Sequence, residues 1–407
     1  MVVARNETGL RVLFRSSAFR RLWAIGGCVN TMRWFELLSA ALFTLDATGS
    51  GLAVAVVSAA RTMPMLLFGA FSGVVAEAVN RKHLMLIGQV MACLSALTIA
   101  VLAVLGLARP WHLGMGAFVT GMVWSTENAT RRRMVGECVD GPLVSRALAL
   151  DTMSNSAARL SGPIAAGAMY QHFGISGSYG LSACVYALAA ILAAGIGHRQ
   201  RTRPFVVSQV PRELAEGIRF ARGDVTIAGV LAVTIAMNLL SFPYSAFVAP
   251  LGRTVFHVSP TLIGVLAASD SFGSFAGGIW LSIAGTRFSG RVLMVGGALL
   301  YTVCVFAMPL TPLFPLACFV LAIGGFGQAA FANMQTSLIV TNAPAHVRSR
   351  LMGLLTVCIG MGPLGILLLG FVANVMGPVD AILIAETACF AWVCWCGQAW
   401  RRRERFG

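Results

Sequence analysis

A chain of 407 residues that is 57% hydrophobic and only 11% charged, with a mean hydropathy of +0.79, lies far from the composition of soluble globular proteins. Its net charge of +15 would suggest a nucleic-acid partner in a soluble protein. Here the basic residues are spread between apolar stretches instead of gathered into one patch, so that class is set aside.

The amino-terminal string MVVARNETGLRVLFRSSAFRRLW lacks a small-residue cleavage site, and the first apolar stretch is expected to stay as a retained helix. About twelve stretches are long enough to cross a bilayer as helices, each needing about 20 apolar residues. They cover 22–45, 51–76, 84–107, 111–130, 147–170, 178–197, 226–249, 261–285, 292–310, 314–341, 351–375 and 379–399. Of the 30 basic residues, 25 fall at the amino terminus, in alternate gaps and in the tail, while the intervening gaps hold only Arg109 and Arg253. Arg33, Arg61 and Arg159 lie inside spans. Cytoplasmic loops carry the Lys/Arg excess, so both termini are expected in the cytoplasm.

The longest polar gap divides the chain into an amino-terminal six-helix bundle (1–197), a cytoplasmic linker (198–225) and a carboxy-terminal six-helix bundle (226–407). In the linker, Leu214, Ile218 and Ala221 recur at helical spacing among charged residues, which predicts a short amphipathic helix at the membrane surface. The two bundles echo each other. Gly162 and Pro163 return as Gly362 and Pro363, and Leu84 and Met85 as Leu293 and Met294. Such repeats create a pseudo-twofold axis along the membrane normal, with a binding site near the midplane between the halves.

The gap after the second span reads GVVAEAVNRK. Gly73 permits close helix approach, Glu77 is placed to meet an arginine or a helix amino terminus, and Arg81 and Lys82 suit lipid headgroups. This string resembles the loop motif of the major facilitator superfamily. Further likeness in FRRLW, TGSGLAVAVVSAARTMPMLLFG, ARLSGPIAAG, LAEGIRFARGD and NLLSFPYSAFVAPL is to its branch of enterobactin exporters and macrolide efflux proteins. The resemblance covers most of the chain. It implies an all-α membrane protein with about twelve transmembrane helices in two pseudo-symmetric six-helix bundles. It matches Arg61 and Arg159 to recurrent arginines of the branch, and Gly162 with Pro163 to the motif of proton-driven antiporters. It also implies a bacterial inner-membrane location. The motif departs from the pattern at Glu77, Ala78 and Asn80; an asparagine tolerates the left-handed turn expected there.

Charged side chains inside the bilayer are costly and mark function by default. Arg33 and Glu36 share a face of the first span at i,i+3 spacing and are expected to pair, with Glu36 either a neutralised partner or a proton carrier. Asp270, in the eighth span, occupies the repeat-equivalent place of Arg61, which suggests a pair across the two halves. Asp151, Asn155 and Arg159 form a polar stripe leading to Gly162. Glu127 stands one turn before Arg131 and is expected to bridge to it, or to act as a functional charge. Glu386 reads as a packing or headgroup-level acid. Asn238, Ser241, Ser245, Gln328 and Gln335, with Trp34, Trp124, Phe242, Tyr244 and Phe331, are candidates for the cavity wall.

No P-loop and no HExxH occurs, the histidines lie near span ends, and Cys394 with Cys396 lacks a nearby histidine, so neither enzyme chemistry, a cofactor nor a metal is expected. The expected partners are a small-molecule substrate, protons and the bilayer. The expectation is a secondary transporter exporting an amphipathic drug or siderophore by alternating access. Glu36 or Asp270 would carry the proton, and Gly73, Glu77, Arg81 and Lys82 would form the gate. A proton symporter or facilitator for uptake, or a non-transporting scaffold or sensor, fits the same residues.

Overall fold

In the computed structural model, residues 9–78, 80–139, 141–197, 210–284 and 287–406 are described, and side chains within 9–11, 69–78, 128–129, 142, 210–214, 284 and 401–406 are outside that description. The described residues are helical almost throughout. A short α1 (Gly9–Arg15) leads into α2 (Ser17–Thr48), α3 (Gly51–Ala78), α4 (Arg81–Val104), α5 (Pro110–Glu137) and α6 (Gly141–Ala194). After α7 (Val210–Gly223) come α8 (Val225–Ala236) and α9 (Val248–Thr254), then α10 (Pro260–Ala284), α11 (Gly290–Ala307), α12 (Phe314–Asn342), α13 (Ala345–Ile359), α14 (Gly362–Met376) and α15 (Pro378–Phe406).

Local chemistry sets the boundaries. Ser16, Asp224 and Ser289 accept hydrogen bonds from backbone N–H groups three residues on, capping α2, α8 and α11. Gly49 ends α2 in the left-handed region at φ 64°. Within α6, Gly174 at φ 61°, ψ −161° adopts a conformation open essentially to glycine alone, and there one long helix becomes two spans. Nine described helices are long and apolar enough to cross a membrane. Dividing α6, and counting α2 and α5, completes the twelve spans. Those two helices fall outside the apolar test because they carry internal charges, among them Arg33, Glu36, Glu127 and Arg131.

The surface is apolar where a bilayer would lie: Val104, Ile191, Ile283, Phe371 and Val375 are all exposed. Inside, the first bundle packs α2 and α4 on α6, and α3 on α5; the second packs α10 and α11 on α12. The bundles meet along two seams, α6 on α10 and α3 on α14. Both seams rely on absent side chains. A Cβ on Gly264 would collide with the Pro163 carbonyl oxygen, and one on Gly370 would sit 2.5 Å from the Ala55 Cβ.

The molecule departs from three expectations. The seventh span is not a continuous helix: after α8 it passes through a π turn (Met237–Ser241) and a 3-10 segment (Phe242–Phe247) before α9. Pro243 and Pro250 withhold backbone donors there. The linker helix α7 exists, but Ile218 is exposed; Gly217 and Ala221 take the buried side, toward α13. Asn80 is extended (φ −60°, ψ 117°), not left-handed, because its side chain caps α4 by accepting from the Lys82 N–H.

Candidate functional site

A cavity of about 290 Å³ lies between the bundles. Arg33, Trp34, Arg159 and Pro163 line it from the first bundle, and Phe242, Tyr244, Asp270, Tyr301 and Gln328 from the second. Pro163 of the α6 Gly-Pro pair and the echo at Gly362 and Pro363 both border it, so the repeat detected in sequence falls on the cavity wall. Gly162 lets α6 approach α2, since a Cβ there would meet the Trp34 Cβ at 2.9 Å and the Thr31 carbonyl oxygen at 3.0 Å.

Across the cavity, Arg159 donates to the Asp270 carboxylate at 2.8 Å and to Gln328 Oε1 at 2.9 Å. Ser271 donates to Asp270 and Ser274 to Gln328, so the carboxylate and the amide are both held in place. This pair joins α6 to α10 directly across the seam between bundles. The expected partnership of Asp270 with Arg61 is replaced by this one, because α3 does not face α10 while α6 does.

Arg61 instead points into its own bundle, donating to Glu36 at 3.1 Å and to Thr120 at 3.2 Å. Glu36 is 2% exposed and Arg61 7%, so this is a fully enclosed pair, away from the cavity wall. Arg33 therefore does not bind Glu36 despite the i,i+3 spacing. Its guanidinium stacks on the Trp124 ring at 3.5 Å and lies 5.2 Å from the Trp34 ring.

The polar stripe on α6 is divided between two jobs. Arg159 serves the cavity, whereas Asp151 accepts from Arg131 at one end of the first bundle, with Arg132 at 3.6 Å. Arg131 also donates to Glu127 at 2.7 Å, the bridge expected from i,i+4 spacing. Gly26 makes room for this cluster; a Cβ there would collide with Arg131 Nη1. The candidate gate is partly described. The surroundings of Gly73 and the side chain of Glu77 lie outside the described residues. Arg81 is buried and pairs with Glu137 of α5, and Lys82 supplies the N–H that Asn80 caps.

At the end of the bundles remote from the chain termini, Asp46 accepts from Tyr170 at 2.8 Å and from Arg253 at 3.3 Å, and Thr261 donates to Gln171 at 2.7 Å. The Asp46–Arg253 and Thr261–Gln171 contacts tie the two bundles together there, while Tyr170 holds Asp46 from within the first bundle. Sequence reading passed over Asp46 and Arg253 because each stands alone in a polar gap. Of the two readings of Glu386, the packing one holds: it is 1% exposed, its two oxygens accepting from Ser241 in the π turn at 2.9 and 2.8 Å.

A family model described as transmembrane secretion effector matches residues 11–399. The chain belongs to that family of major facilitator transporters. The multidrug efflux pump Tap of Mycolicibacterium fortuitum is 23% identical over 344 residues, 82% of this chain and 83% of that protein. Macrolide efflux protein A of Streptococcus pyogenes is 20% identical over 391 residues, 92% of this chain and 95% of that protein. Among solved structures, an inward-facing, unoccupied bacterial homolog of the human lysosomal transporter Spinster aligns with a TM-score of 0.74 at 14% identity, covering 95% of this chain and 96% of that one. A point mutant of the nucleoside transporter NupG aligns at 0.71 and 14% identity, covering 95% and 98%. The chain is thus a multi-pass membrane transporter with a small-molecule substrate.

Proposed function

We propose that this transporter exports an amphipathic, drug- or siderophore-like molecule across the bacterial inner membrane in exchange for protons. The observation that carries the reading is the Arg159–Asp270 pair, which spans the seam between bundles on the wall of the cavity. Rocking of the bundles would part α6 from α10 and so break this pair. With the termini in the cytoplasm, the contacts of Asp46 with Arg253 and of Gln171 with Thr261 would close the outer side, and the arrangement would correspond to an inward-facing state. In it, Asp270 is engaged by Arg159; in the opposite state, freed of Arg159, it would be the acid open to a proton from outside. Of the two acids expected to carry the proton, the reading narrows to Asp270, because Glu36 is enclosed with Arg61 inside one bundle. Arg81 with Glu137, and the α3–α4 junction that brings Gly73 and Glu77 of α3 to Lys82 of α4, would tie α4 to its neighbours at the cytoplasmic gate. The relatives' names support efflux as the direction.

The test is transport in proteoliposomes of each orientation, with an imposed pH gradient and a panel of amphiphiles. Gradient-driven export that becomes insensitive to the gradient in Asp270→Asn is the expected result. Gradient-driven entry from the outer side would replace export by uptake. Flux in the wild type that ignores the gradient would overturn proton coupling.

A further inference from the structure

The cavity wall is not electrically balanced. Among the residues lining it, the charged ones are Arg33, Arg159 and Asp270. Asp270 is engaged by Arg159, which leaves the positive charge of Arg33 uncompensated. No carboxylate or hydrogen-bond acceptor of a described residue takes up the Arg33 guanidinium; its partners are the rings of Trp124 and Trp34. The Nε1–H groups of those same two tryptophans are buried without an acceptor. Arg159 crowds the spot further, with its guanidinium 5.3 Å from the Trp34 ring. A cation stacked on Trp124 thus stands on the cavity wall beside Trp34, with no acceptor of a described residue taking it up. Buried donors are normally satisfied, and a site that leaves several open awaits an acceptor-rich group. Opposite this corner the wall is apolar and aromatic, supplied by Phe242, Tyr244, Tyr301 and Ile366.

We infer that Arg33, held by stacking on Trp124 and standing beside Trp34 on the cavity wall, forms a headgroup site for an organic anion, and that the transported class is carboxylate- or sulfonate-bearing amphiphiles with an aromatic or apolar body. This rests on the transporter reading above and gives it a substrate class. Efflux of neutral or cationic drugs would leave the Arg33 charge unmet in the loaded state. An acid would meet it.

Three naphthalene probes of matched size decide it: 2-naphthoate, 2-naphthylmethanol and 2-naphthylmethylammonium, titrated calorimetrically into purified protein in nonionic detergent. A charge-assisted contact in place of a neutral one predicts naphthoate tighter than the alcohol by about tenfold, with the ammonium weakest. Arg33→Met should abolish the difference between naphthoate and the alcohol, and Arg33→Lys should keep part of it. Because Arg33 has no ion-pair partner to strand, Arg33→Met should also melt no lower than the parent, which a merely structural arginine would not allow. An ammonium probe that binds as well as naphthoate, an anion preference that survives Arg33→Met, or no binding by any of the three would overturn the site. Gradient-driven flux of naphthoate in proteoliposomes is measured in parallel. Anion-selective binding without flux would defeat the transport reading and leave the binding site standing.

Discussion

Replacing Glu36 by glutamine should be among the most damaging single changes in the first bundle. The Glu36–Arg61 distance of 3.1 Å corresponds to an attraction of about 5 kcal/mol at an effective dielectric of about 20. Burial of both groups costs much of that, so the pair itself adds little net stability. Removing one partner's charge is different: Arg61 would stay charged and enclosed with only neutral acceptors, the new amide and Thr120, a loss of about 3–5 kcal/mol. Glu36→Leu combined with Arg61→Met removes both charges and should recover most of that loss. Reversible unfolding in mixed detergent micelles, comparing Glu36→Leu and Arg61→Met alone with the double, measures the coupling. Two singles each within about 1 kcal/mol of the parent, or a double equal to their sum, would refute the enclosed-pair account.

Three further outcomes follow from the geometry. Gly26→Ala drives a methyl into the Arg131 guanidinium and should cost about 1–3 kcal/mol by the same unfolding assay. Gly174→Ala forces an alanine into φ 61°, ψ −161°, and a loss of about 1–3 kcal/mol, with little change in ligand affinity, is expected. Asp46→Asn weakens a half-exposed tie to Arg253 that is worth at most about 1 kcal/mol. It should therefore shift the inward–outward population by no more than about fivefold, read as labelling of a cysteine placed in the cavity from the outer side.

The span count and the inter-bundle cavity were legible because bilayer thickness and the positive-inside bias act on composition, which a sequence displays directly. Partner choice among buried charges was legible only where both residues share a helix. Glu127 and Arg131 pair as their spacing predicts, since i,i+4 residues are neighbours in any helix. Arg33 and Glu36 also share a helix, yet tertiary packing turns Glu36 toward Arg61 and Arg33 toward Trp124. Repeat arithmetic placed Asp270 opposite Arg61, but equivalent positions in two repeats are related by the pseudo-twofold and need not touch. Asp270 meets Arg159 because α6 and α10 form the seam. The seventh span was expected as one helix over 226–249; its break was not read from Pro243, and its π turn depends on what α14 and α15 pack against it.

The same repeat arithmetic carries a consequence for the cavity. The offset that aligns Leu84 with Leu293 aligns Arg33 of α2 with Phe242 of the 3-10 segment, and both line the cavity. One repeat thus supplies a cation stacked on tryptophan; the other supplies a ring packed edge-on against Tyr301 and Phe331, with centroids 5.3 and 5.9 Å away. A headgroup lying toward α2 and a body lying toward the seventh span would use both walls at once, which is the requirement an amphipathic ligand imposes. The two contributions should then separate by mutation. Phe242→Ala removes apolar contact that naphthoate and naphthylmethanol share, so both should weaken together, by about tenfold for a loss of roughly 1.4 kcal/mol. Arg33→Met should weaken naphthoate alone. If Phe242→Ala also erased the preference for the anion, the headgroup and body walls would not be distinct, and the ligand would not lie across the two repeats.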